Sequence, residues 1–67
     1  MMDHKFKVGD RVRYVGKSFP HLTKEDVGVV VTTYYVPTDD TFPYDVDFSR
    51  LPLIPCSEKE LELITNG

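Results

Sequence analysis

The chain contains no tryptophan, no alanine and only one cysteine, Cys56. Each shortage excludes something. A single thiol cannot form an intrachain disulfide, so no covalent staple is expected, and a lone cysteine points to a reducing compartment, the cytoplasm being the usual one. Without alanine the strongest helix former is missing, which argues against a helical bundle. No apolar run approaches the roughly 20 residues that span a bilayer, so no membrane segment is expected. The opening Met1-Met2-Asp3-His4-Lys5 has no apolar stretch behind its charge, so it does not read as a signal peptide. Neither C-x2-C nor H-x3-H spacing occurs among His4, His21, Cys56, Asp39 and Asp40, and a calcium loop needs more oxygen ligands at set offsets. No metal and no cofactor are expected.

What the chain does have is residues that favour strands: nine Val, four Tyr, four Phe and six Thr among 67 residues, enough for one small domain over residues 1–67. Arg11–Val15 alternates charged and apolar residues, the period of a half-buried strand, and Gly16 ends it. Residues 17–26 form a long polar loop with Pro20 in its middle. Leu22–Asp26 suits a short helical turn capped by Thr23, with Phe19 and Leu22 tucked beneath as a satellite of the core.

Val27–Tyr35 is almost wholly β-branched and aromatic. Its triplet Val29-Val30-Val31 predicts a strand covered on both faces or bent between two sheets, and Gly28 is a natural bend or bulge. After a loop at 36–43 holding Pro37 and Pro43, Tyr44–Phe48 alternates cleanly, with Tyr44, Val46 and Phe48 inward and Asp45 and Asp47 outward. Leu51–Ile54 is a short strand whose Pro52 belongs at a sheet edge. Ser57-Glu58-Lys59-Glu60 is a capping-box pattern that predicts a single helical turn, and Leu61–Ile64 closes the chain as a fifth strand.

Five short strands with close turns predict an all-β domain, a small five-stranded barrel with a one-turn helix before its last strand and a core spanning residues 6–64. The inward set is expected to be Val12, Tyr14, Val29, Val31, Val46, Phe48, Leu61 and Leu63. In a barrel the first and last strands pair, which sets Arg11 and Arg13 against Glu60 and Glu62.

The run Phe6-Lys7-Val8-Gly9-Asp10-Arg11-Val12-Arg13, then Val27-Gly28-Val29-Val30, Tyr44–Phe48 and Glu60–Ile64, resembles the layout of SH3-like and KOW-like domains. It also resembles the barrel subunit of photosystem I, the variable chain of ferredoxin–thioredoxin reductase, and small proteins of bacteria and phages. The resemblance implies an SH3-like barrel. It does not extend to the signalling SH3 domains that bind peptides through a tryptophan and an Ala-Leu-Tyr-Asp-Tyr-like run, since this chain has neither. Nor does it extend to typical KOW domains, which are basic, whereas this chain carries a net charge of -3.

No catalytic centre is expected. Cys56 and His21 are the one tempting nucleophile–base pair, and a structural thiol is the better reading. Asp45 and Asp47 read as the solvated face of a strand, and a barrel this small fills its interior with side chains, leaving no place for a small-molecule substrate. Two binding surfaces remain. The first is an aromatic–acidic patch at the 36–43 loop, Tyr34, Tyr35, Asp39, Asp40, Phe42 and Tyr44 with Pro37 and Pro43, suited to a protein partner of unspecified identity. The second is a basic cluster, Lys5, Lys7, Arg11, Arg13 and Lys17, which with Tyr14 and Phe19 would suit nucleic acid. Charge favours the first: residues 39–62 hold seven acids against two bases and would repel phosphate.

Overall fold

A computed structural model describes residues 4–38 and 40–64. They form five strands, β1 (Arg11–Tyr14), β2 (Val27–Thr33), β3 (Tyr44–Phe48), β4 (Leu51–Cys56) and β5 (Leu61–Leu63), with a 3-10 turn at Glu58–Glu60. No α-helix occurs among the described residues, and no helix is long and apolar enough to cross a membrane. The long loop at 17–26 does not become helical. Thr23 instead closes a polar turn: its hydroxyl accepts the Glu25 N–H at 3.2 Å, and its own N–H goes to Asp26 Oδ2 at 2.8 Å. Asp26 is held in turn by Arg50, at 2.8 Å.

The strands form one antiparallel sheet in the order β4-β3-β2-β1-β5. The first and last strands pair, as the charge pattern implies, with Arg13 opposite Glu62. Among the described residues no ladder joins β4 to β5, so these two are the edges. An edge position explains how β4 accommodates Pro52 and Pro55 and extends to Cys56, past the Ile54 expected from sequence: proline's missing N–H costs nothing where no strand needs it.

One face of the sheet is dry. Val12, Tyr14, Val30, Tyr44 and Val46 are fully buried, and Phe48 and Leu61 nearly so. No helical layer covers them. Phe6 ahead of β1, Leu22 and Phe19 from the long loop, and Cys56 complete the cluster. A flat sheet would leave such a face wet, so the strands curl over their own interior, assisted by register shifts between Val30 and Thr32 and between Val46 and Phe48. Aromatic edges meet ring faces inside: Phe6 with Tyr44 at 5.3 Å and Tyr14 with Phe48 at 6.1 Å.

Three residues of the expected inward set are not there. Val29, Val31 and Leu63 are 38%, 36% and 43% exposed. Ahead of its register shift β2 alternates, with Gly28 opposite Phe48 and Val30 opposite Val46, so Val29 and Val31 face out and only one face of the strand is covered. Leu63 shares the parity of Leu61 but sits at the end of an edge strand, where nothing covers it.

Candidate functional site

The segment between β2 and β3 is pinned at both ends and bare in its middle. Pro37 and Pro43 are fully buried, and the Tyr34 N–H closes the base on the Pro43 carbonyl at 2.7 Å. Thr38 and Thr41 brace the tip: the Thr41 hydroxyl accepts the Thr38 N–H at 2.9 Å and donates to the Thr38 carbonyl at 3.2 Å. Tyr35 has φ of +62°, a left-handed conformation unusual for a bulky residue, and the twist brings the Tyr34 and Tyr35 rings to 5.3 Å of each other. Tyr34, Tyr35 and Phe42 remain 39%, 66% and 47% exposed. They wall a groove of about 420 Å³ that also takes in Asp40, Thr41, Asp45 and Pro55. The Tyr34 hydroxyl donates to Asp45 Oδ2, which fixes both ring and carboxylate.

Of the residues singled out for protein binding, then, the structure brings together Tyr34, Tyr35, Asp40 and Phe42. Asp39 lies outside the described residues. Tyr44 does not belong: it is fully buried on the inner face of β3, because a strand alternates and Tyr44 shares parity with Val46 and Phe48. Its hydroxyl donates to Glu58 Oε2 at 2.6 Å and accepts the Lys5 N–H at 3.0 Å and the Phe6 N–H at 3.3 Å, tying the N-terminal segment to the 3-10 turn. Burial and the adjacent Glu58 carboxylate push this phenol up to about 12.

A second groove, of about 370 Å³, also has Phe42 in its lining. The chain leading from β1 into the long loop contributes Val15, Gly16, Lys17 and Ser18 to its lining, and the 3-10 turn region contributes Ser57, Lys59 and Glu60. Glu60 is 5% exposed and takes no part in an arginine pair. Its Oε1 accepts the Ser57 N–H at 2.9 Å and the Ser57 hydroxyl at 3.0 Å, and its Oε2 accepts the Tyr14 hydroxyl at 3.1 Å. Burial pushes this carboxyl up, but the donors from Ser57, Ser18 and Tyr14 together outweigh it and leave it below its ordinary range. The reach of Glu60 back to Ser57 is the capping box expected from sequence. The loop crosses this pair so closely that a Cβ on Gly16 would sit 2.7 Å from Glu60 Cγ. Gly16, Ser18 and Lys59 carry no sequence signal as site residues, and Lys17, singled out with the basic cluster, lines this groove with Phe42 instead.

The rings expected beside the basic cluster are drawn into or against the core. Tyr14, its expected stacking ring, is fully buried, and Phe19 is packed against the core. Arg13 lies 3.7 Å from Glu62. Lys17 lines the second groove, where neither Arg11 nor Arg13 reaches. Lys5 and Lys7 are exposed ahead of β1, the Lys5 ammonium resting 5.6 Å from the Phe6 ring centroid.

Cys56 is fully buried, and burial together with the Glu60 and Asp45 carboxylates pushes its thiol up to about 12. His21 is exposed on the long loop. A buried thiol with so high a value holds almost no thiolate, the reactive form, at neutral pH. Iodoacetamide at about pH 8 should therefore leave Cys56 untouched in the native chain and alkylate it fully in denaturant. Native-state alkylation at the rate of a free thiol would contradict this burial. Among the described residues no three His, Cys, Asp or Glu side chains gather as metal ligands. No family model, no curated protein and no solved structure matches the chain.

Proposed function

We propose that this chain is a non-enzymatic protein-interaction module of the SH3-like barrel type, and that its working surface is the groove framed by Tyr34, Tyr35 and Phe42. The strand order β4-β3-β2-β1-β5, with a 3-10 turn before the last strand, supports the fold family. The observation that carries the function is three exposed aromatic rings around one groove on a pinned loop. Aromatics left in water at this cost are the anchors that interfaces bury. The left-handed Tyr35 adds weight, since a backbone held in a costly region persists where display of the side chain matters. The single buried thiol favours a reducing compartment, the cytoplasm among them.

A photoreactive phenylalanine analogue at position 42 should crosslink to a specific protein in an extract of the source cells. The same analogue at Val8, exposed to 62% but far from the groove in sequence, should not. Phe42→Ala and Tyr35→Ala should each weaken binding of that protein by about 2 kcal/mol, roughly thirtyfold, while stability changes by less than about 0.5 kcal/mol. Equal crosslinking from position 8, or unchanged affinity in both variants, would discard the reading.

A further inference from the structure

We infer that the occupant of this surface is an extended segment of the partner protein that carries a basic and an acidic side chain, one for each of the two grooves that share Phe42. This deepens the interaction reading and rests on it. The first groove holds two carboxylates, Asp40 and Asp45, of which Asp45 accepts the Tyr34 hydroxyl through Oδ2, and no cation among its lining residues. The ion pairs among the described residues, Arg13 with Glu62 and Arg50 with Asp26, leave both carboxylates without a cation of the chain's own. Negative ring faces beside uncompensated carboxylates attract a lysine or arginine, which gains from the ring quadrupole and the charge together.

The second groove has the opposite sign. Lys17 and Lys59 both line it, again without ion-pair partners among the described residues. Its one carboxylate, Glu60, is buried and already spent on Ser57 and Tyr14. Phe42 belongs to both grooves. A segment that occupies both grooves thus meets the carboxylates of one, the ammonium groups of the other and the phenyl ring they share. Extended chain advances about 3.3 Å per residue, so a separation of two to four residues covers about 7 to 13 Å, the scale of two grooves that share one ring. A polyphosphate backbone, with charge of one sign throughout, does not match this pattern.

The test is selection from a library of random linear peptides displayed on phage, panned on the wild-type chain at low salt. Selected peptides should be enriched at least about tenfold in Lys or Arg lying two to four residues from Asp or Glu. Panning on Asp40→Lys should remove the basic preference and keep the acidic one. Panning on Lys17→Glu combined with Lys59→Glu should do the converse. All these positions are solvent-exposed, and near-ultraviolet circular dichroism confirms that each variant keeps the wild-type fold. Peptides that need Phe42 yet show no charge pair, or whose charge preference survives both variants, overturn this inference alone. Failure to select any peptide, or selected peptides held equally by Phe42→Ala, overturns it together with the interaction reading.

Discussion

Glu60→Ala strips the chain of much of its stability at room temperature. Its carboxylate is 5% exposed and accepts from three donors, the Ser57 N–H, the Ser57 hydroxyl and the Tyr14 hydroxyl. Alanine removes the acceptor and leaves those donors in an emptied pocket. A buried donor without a partner costs about 1–3 kcal/mol, offset in part by relief of the buried charge and by water entering the vacancy. A net loss of about 3 kcal/mol follows. A small domain has little to spare: at 0.05–0.15 kcal/mol per residue, a chain of this size holds roughly 3–10 kcal/mol, and the lower end is apt where so much surface stays wet. Urea unfolding reads the loss directly. A Glu60→Ala unfolding free energy within about 0.5 kcal/mol of wild type would show that the network is ornamental.

Glu60→Gln separates shape from charge. It keeps one acceptor for Ser57 but offers Tyr14 an amide in place of a carboxylate oxygen, so its loss should be smaller than that of alanine. The pH dependence distinguishes the two further. The folded-state carboxyl lies below its ordinary 4.5, so Glu60 contributes stability that is fully present above that value and is lost as pH falls through the folded one. Asp26, held low by Arg50 and Thr23, acts with the same sign. Glu60→Gln should therefore flatten the acid limb of stability in part, and adding Asp26→Asn should flatten it further. An acid limb unchanged by Glu60→Gln would mean that Glu60 is not the depressed group.

Much of the frame was legible because strands with one wet face mark themselves. Arg11 and Arg13 fixed the parity of β1, and Asp45 and Asp47 that of β3, since a charge at every second position leaves the alternate ones for the core. Ser57 and Glu60 marked their turn by chemistry that works at three-residue range. Partners farther off left no mark. Tyr14 bonds Glu60 across 46 residues and Tyr44 bonds Glu58 across 14, and nothing local says that an inward phenol will find a carboxylate. For Tyr44, strand parity and membership of an exposed aromatic patch pulled in opposite directions, and parity won. The Phe42 site was half legible: Tyr34, Tyr35 and Asp40 are its neighbours in sequence, whereas Lys17 was marked for a different surface and Lys59 arrives by topology alone.

Gly28→Val should be as damaging as Glu60→Ala, for a reason that also explains why β2 was misjudged. Three consecutive valines carry no polar marker of parity, so the sequence permits either Val29 and Val31 or Val30 to face the core. Gly28 decides it. The glycine is buried opposite Phe48, and a Cβ there would stand 2.7 Å from Val46 Cγ1, 2.8 Å from Phe48 Cδ1 and 2.8 Å from the Asp47 carbonyl oxygen. Side chains can yield by a few tenths of an ångström, but the carbonyl belongs to the β3 backbone and moves only with the ladder. The inner face at position 28 is therefore filled by its neighbours, and Val30, two residues on, is the valine that packs. Overpacking a core ordinarily costs about 1–3 kcal/mol, and a branched side chain against backbone exceeds the upper figure. Slipping the register by one residue offers no escape, because it would turn Val30 out and bring Val29 and Val31 in against a wall shaped for glycine. Gly28→Ala should lose about 2 kcal/mol and Gly28→Val should not fold, whereas Val29→Thr and Val31→Thr, on the wet face, should each cost less than about 0.5 kcal/mol. If Val29→Thr proved as destabilising as Val30→Thr, the assigned parity of β2 would be wrong, and the curled interior built on it would fall with it.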